Sequence, residues 1–355
     1  MRRRLLVGGT IVIVLVTAGG LFVGVRLWRD LHHSSLEQAL SLAPKDGQRY
    51  SWTDWDGVRG QMKATVGPDS SAGQIGHFLS KAEDDDLTTS SALAEIGNHM
   101  QDDFGFSPAT VDWELLVGQP LNEGAGQVDL LRLPDADSFT TVRDALTRLG
   151  YKVPDDSDGV WDGSTARASQ AATLLSYVAL DQDDHVVLVS DDRDTIGRAV
   201  DAVGSGGDLP DGIAQTASAI GSPLSAEIDS GAYVCNALAL SHADPTDQAQ
   251  AAQLISTAGE VNPLTAFALS VQPGDDGLLA AMSFEDHDQA KINADTRSRL
   301  AVGPAAGQSS GSFTDMFALG EVRADNDVVT MQLHPKEDQL YSDLLSGGPI
   351  LFATC

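Results

Sequence analysis

The chain has 355 residues, 42% of them hydrophobic, and a formal net charge of −29 at pH 7. That apolar content excludes a disordered tail and is enough for one large core or two ordinary ones. A surface so negative repels nucleic acid and anionic lipid headgroups, which excludes nucleic acid as a partner.

Residues Leu5 to Val25 form an uncharged run of 21 positions, thirteen of them Leu, Ile, Val or Phe, directly after Arg2, Arg3 and Arg4. At about 1.5 Å per residue a helix of that run reaches roughly 31 Å, the depth of a bilayer's hydrocarbon core. A cleaved signal peptide has a shorter apolar region and a small-x-small site. Here the run ends in Gly24, Val25, Arg26, Leu27, Trp28 and Arg29. The reading is an uncleaved signal anchor at 5–25, a cytoplasmic stub at 1–4 and a juxtamembrane stalk at 26–46. Positive charge before the run keeps the N-terminus in the cytoplasm and sends the rest across the cell membrane. The exported part then holds all 51 acidic residues and 17 basic ones, a formal charge of −34. Gly20 and Gly24 make one GxxxG pair, which allows a weak helix-mediated dimer as an expectation.

Beyond the anchor, two stretches share one plan. In the first (47–205), Arg49 to Trp52 reads as a strand. Trp113 to Val117 and Val128 to Leu133 form a hairpin around Gln119, Pro120 and Gly124. A helix follows from Asp135 and Asp137, with Phe139, Val142, Leu146 and Leu149 on one face. Ser176 to Leu180 and Val186 to Ser190 form a second hairpin. In the second stretch (222–355), Ser225 to Ile228 is the opening strand. Ala266 to Val271 and Leu279 to Phe284 flank Gln272, Pro273 and Gly277, at a constant offset of 153 from the first Gln-Pro turn. Ala318 to Arg323 and Val328 to Leu333 complete it. Each half runs β-α-α-β-β-α-β-β-α, and 206–221, rich in Gly and Pro, is the joint. The expected fold is α+β, with mostly antiparallel sheets, helices on one face and an internal duplication.

The chain has two cysteines, Cys235 and Cys355. Outside the cytoplasm the economical reading is one disulfide between them, closing a loop of 120 residues. Pro349 to Ala353 is apolar enough to be a final buried strand that brings Cys355 to its partner.

Acidic clusters raise the question of metal. Asp155, Asp156, Asp158 and Asp162 come nearest to a calcium loop but lack its spacing, so they stand as weak divalent-cation candidates beside Glu83 to Asp86. Most other clusters fall where a helix begins: Asp135 and Asp137, Asp191 and Asp192, Asp244 before Pro245, Glu285 to Asp288, Glu337 with Asp338. Carboxylates there cap N–H groups and complement the helix dipole. Trp52 and Trp55, in Trp52-Thr53-Asp54-Trp55-Asp56, are weak candidates for a stacking platform for a sugar ring, and without supporting polar residues the structural reading is favoured. That reading has Thr53 or Asp54 capping a helix and Trp52 stapled over its first turn. No HExxH, Walker, S-x-x-K, G-x-S-x-G or G-x-G-x-x-G pattern occurs, so neither a catalytic residue nor a cofactor is assigned. His287, between Asp286 and Asp288, reads as a solvated helix start.

The anchor, the phrase Tyr50-Ser-Trp-Thr-Asp-Trp, the Gln-Pro turns and the ending Gly348-Pro-Ile-Leu-Phe-Ala-Thr-Cys355 resemble a group of single-pass exported membrane proteins of actinobacteria. An excess of Arg over Lys, 16 against 6, agrees with a GC-rich genome. The resemblance implies a location and no activity. The expected function is binding or scaffolding of an envelope ligand or protein partner, and the alternative is an envelope hydrolase with a scattered catalytic site.

Overall fold

A computed structural model describes residues 34–89, 91–118, 126–156, 159–166, 173–205, 209–238, 243–274, 277–308, 311–336, 341–346 and 348–355. The anchor and the first Gln-Pro turn lie outside these residues. No helix among the described residues is long and apolar enough to cross a membrane.

The strands are β1 (Arg49–Thr53), β2 (Trp113–Gly118), β3 (Val128–Arg132), β4 (Trp161–Asp162), β5 (Tyr177–Asp181) and β6 (Val186–Ser190). They continue with β7 (Ser225–Ser230), β8 (Ala266–Val271), β9 (Leu278–Ser283), β10 (Phe317–Asp325) and β11 (Val328–Pro335). All join one 11-stranded sheet in the order β10-β11-β9-β8-β7-β1-β2-β3-β6-β5-β4. Every neighbouring pair is antiparallel. Outward from the centre the succession β1-β2-β3-β6-β5 mirrors β7-β8-β9-β11-β10. The two opening strands meet in the middle, with Arg49 opposite Asp229, Ser51 opposite Glu227 and Thr53 opposite Ser225.

The main helices are α1 (Ser35–Leu40), α2 (Trp55–Met62), α3 (Ala72–Asp84), α4 (Gly97–Phe104) and α5 (Asp137–Leu149). After them come α6 (Arg193–Ser205), α7 (Ile213–Ile220), α8 (Pro245–Ala258) and α9 (His287–Ala301). They lie on both faces of the sheet, which corrects the expectation of helices on one face. The reason is visible in the strands: β6 and β8 are buried at every position, so both of their faces need cover. On one face α1, α6 and α7 seal Trp52, Trp113, Leu115, Leu130, Leu188, Ile228 and Ala268. The two tryptophan rings there sit 5.5 Å apart. On the opposite face the cover is split. Helices α2 to α5 close an apolar pack around Phe78, Phe104, Leu131, Phe139 and Val187. Helices α8 and α9 close another around Phe267, Leu269, Met282, Met331 and Phe352.

Two local expectations change. The segment from Ser35 is no stalk: Leu36, Ala39, Leu40, Leu42 and Ala43 are buried in the shared core. Ser34 is the N-cap of α1, and Ser34 and Glu37 form a reciprocal capping box. The apolar ending is not a strand but a single 3-10 turn, Leu351–Ala353. Its burial follows from Phe352, whose ring lies 5.1 Å from Phe313 and 6.1 Å from Phe317.

Candidate functional site

Between the two packs on the split face, the central strands carry polar side chains where apolar ones would be expected. Residues paired across antiparallel strands point the same way. One row therefore runs Asp129, Leu116, Ser51, Glu227, Leu269, and the next runs Glu114, Thr53, Ser225, Val271. A third holds Arg49 and Asp229. Ser51, Thr53, Glu114, Ser225, Glu227 and Asp229 are all buried, and Asp129 is half-buried with its Oδ1 sealed from solvent. The result is a strip of four carboxylates at the middle of the sheet.

Each carboxylate has a different degree of support. Glu114 accepts from the Trp55 Nε1–H at 2.8 Å and the Ser91 hydroxyl at 2.6 Å. Glu227 accepts from the Ser51 hydroxyl at 2.6 Å and pairs with the Arg49 guanidinium, which lies over the Tyr233 ring. Asp129 Oδ1, Asp229 Oδ1 and Ser225 Oγ find no partner among the described residues. Burial raises all four carboxyl pKa values, Asp129 and Asp229 well above the usual range. Desolvation is the main cause, and repulsion from Glu114 adds to it at Asp129 and from Glu227 at Asp229. The strip is thus a line of buried carboxyl groups whose protonated forms burial favours, with one guanidinium at its edge.

The consequence for stability has a definite sign. A carboxyl whose pKa rises on folding binds its proton more tightly in the native state, so its contribution is complete at low pH. It is lost as pH climbs through the folded value. The carboxyls of Asp135, Asp162, Asp192 and Asp244 are lowered by hydrogen bonds from nearby N–H and hydroxyl groups, and act in the opposite sense below the ordinary carboxylate range. Stability should therefore peak in mild acid. Urea unfolding is expected to show a higher midpoint at about pH 5 than at about pH 7.5, with up to about 1.4 kcal/mol per pH unit from each titrating group. Replacing Asp129 and Asp229 by Asn should flatten that slope. An unchanged slope would contradict the assignment.

The residues singled out from sequence are distributed as follows. Trp52 and Trp55 are both buried and lie on opposite faces of the sheet, so together they offer no stacking platform. Asp54 is the helix cap, accepting from Gly57 N–H at 2.9 Å, while Trp52 packs on Trp113 and staples nothing. Asp155 and Asp156 are exposed and Asp158 lies outside the described residues. Asp162 accepts from Ser164 through one oxygen and pairs with Arg193 at 2.9 Å through the other. In the second acidic cluster Lys81 pairs with Asp85 at 2.6 Å, and Asp86 accepts from Ser342 N–H. No group of three His, Cys, Asp or Glu that could hold a metal occurs among the described residues. Asp192, Asp244 and Asp286 cap helices, and Asp135 accepts from Ser138 N–H. His287 turns Nδ1 to the Asn326 carbonyl at 2.6 Å.

Cys235 and Cys355 form a disulfide across a Cα–Cα distance of 5.5 Å. Beside it Arg297, fully buried on α9, donates from Nη1 to Phe352 O and Thr354 O, both at 2.8 Å. Its Nη2 donates to Asn262 O at 2.6 Å and its Nε to Asn293 Oδ1 at 3.0 Å. Disulfide and guanidinium together lock the C-terminal tail onto the domain. Sequence reasoning missed both Arg297 and the strip. The strip's trace is the alternation Ser225, Glu227, Asp229 against Ala226 and Ile228, which reads locally as a solvent-facing edge.

Fold and site define an α+β protein built on one antiparallel sheet, with a buried acidic seam and a disulfide-pinned end. No family model and no curated protein matches the chain. Among solved structures it is similar to one described as "Structure of crystal form III of TP0453", with a TM-score of 0.37 and 8% identity. That match covers 82% of this chain and 91% of the other, and at this level it carries no argument.

Proposed function

We propose that the chain is a single-pass envelope protein whose acidic body lies outside the cytoplasm and works by binding or scaffolding. The observation that carries this reading is the Cys235–Cys355 disulfide, which uses both cysteines of the chain. Such bonds persist in oxidising compartments and are rare in the cytosol. The apolar run at 5–25, with three arginines before it, supplies the tether. The likeness to exported actinobacterial membrane proteins points the same way. The mirrored strand order supports an origin of the two halves by internal duplication, with β1 and β7 as the joined edges.

Fractionation tests the location. The full chain is expected to sediment with membranes and to lose its body to protease added outside intact cells. A chain in the cytosolic supernatant, or one protected from external protease, contradicts the proposal. Native mass spectrometry of the detergent-extracted protein, with and without reductant and chelator, tests binding. A retained ligand or protein mass is expected. A bare monomer under every condition contradicts the binding role.

A further inference from the structure

The chain enters the fold through the middle of one helical layer. On that face of the sheet α6 covers β5 and β6, α7 covers β8 and β9, and α1 lies against β2 and α7. By strand order α1 is therefore the central member of the layer. Its cap, Ser34, is separated from Val25, the end of the apolar run, by eight residues. Fully extended, a segment of that size spans at most about 28 Å. The surface on the other side lies beyond the sheet and a second helical layer, each about 10 Å thick. A leash so short cannot pass around an 11-stranded sheet from its middle and bring the far surface down onto lipid.

Charge is divided in the same sense. Helices α1, α6 and α7 hold Glu37, Asp194 and Asp201 against Arg193 and Arg198, a net charge of −1. Helix α7 has no charged residue, and its outward positions Ala214, Gln215 and Ser218 are exposed. Asp191, Asp192 and Asp211 stand at the helix ends, in the turns that lead into α6 and α7. On the opposite side, residues 72–104, which build α3 and α4, hold seven carboxylates against Lys81. Carboxylates within a Debye length of anionic headgroups, about 8 Å, are repelled by them. The middle of the first layer escapes that cost, and the second layer does not.

We infer that the layer of α1, α6 and α7 rests on the outer surface of the lipid bilayer, with the uncharged α7 in contact, and that the split face is turned away from the membrane. This rests on the tether and location proposed above and adds an orientation to them. It directs the carboxyl strip and the acidic helices around it toward partners outside the membrane.

The test uses the full chain in vesicles of phosphatidylcholine and phosphatidylglycerol, with the body outward. Without reductant the two native cysteines are joined, so a maleimide reads an introduced thiol. Ala214→Cys on α7 is expected to react with a bulky polyethylene-glycol maleimide about tenfold more slowly than Ile292→Cys on α9, as for a face that is free about a tenth of the time. Both positions are exposed in the fold, so in detergent the two rates should be alike. A long Gly/Ser linker inserted between Arg29 and Ser34 should raise the rate at Ala214→Cys. Adding Gln215→Glu and Ser218→Glu should raise it too, on these vesicles but not on phosphatidylcholine alone. Equal rates at the two positions on vesicles, protection of Ile292→Cys instead, or slow labelling of Ala214→Cys that persists in detergent overturns the inference. Flotation of the same vesicles reads the tether separately. A chain that fails to float with lipid overturns the location, whereas one that floats and labels equally overturns the orientation alone.

Discussion

Arg297→Ala is expected to destabilise the protein by about 3–5 kcal/mol, the range for truncating a large buried side chain and leaving its buried acceptors unpaired. The side chain is fully buried, and its acceptors are three backbone carbonyls and one amide, with no carboxylate among them. Burial lowers its pKa, so the converging carbonyl dipoles and the Phe284 ring, 5.3 Å away, must hold the charge. Truncation leaves Asn262, Phe352 and Thr354 carbonyls unpaired in a buried site and opens a cavity behind them. Lysine keeps the charge but not the planar fork, so Arg297→Lys should recover less than half of the loss. Urea unfolding of the three proteins checks this. A midpoint for Arg297→Ala within error of the parent would refute the tail-clamp role.

Removing the disulfide with Cys235→Ser and Cys355→Ser is expected to cost about 2–5 kcal/mol, as for a native bond closing a long loop. The size of the loop, 120 residues, places the chain-entropy contribution at the upper end. The loss should not add to that of Arg297→Ala. Both devices hold residues 352–355, and once the tail is free on one side the other has less to hold. In a double-mutant cycle the combined loss should fall short of the sum by about 1 kcal/mol or more. Strict additivity would mean that the two act on separate parts of the fold.

Much of the local structure was legible. The hairpins around Gln272 and Asp325 and the helix starts at Asp54, Asp244 and Asp286 follow from short-range rules, and the pairing of Cys235 with Cys355 from the chain having two cysteines. Apart from that disulfide, the non-local features were not legible. Period-2 alternation says that a strand has two unlike faces, but not what covers each. Ser225, Glu227 and Asp229 therefore looked solvent-facing, when in fact they lie beneath the seam between two helical packs. The union of the halves through β1 and β7 depends on strands roughly 175 residues apart, for which no turn or spacing gives notice. Arg297 sits in a helix rich in Asp, Lys and Arg, where an arginine normally reads as one half of a surface ion pair. Its true acceptors are carbonyls up to 57 positions away, and backbone groups carry no sequence signature.

The measurement closest to the centre of this account is the redox state of the two cysteines in protein taken directly from cells. Membranes should be treated with an alkylating reagent before any reductant, then digested and analysed by mass spectrometry. The account predicts that neither cysteine is alkylated and that the peptides bearing Cys235 and Cys355 are recovered joined. Recovery of both as alkylated thiols would contradict an extracytoplasmic body pinned at its C-terminus.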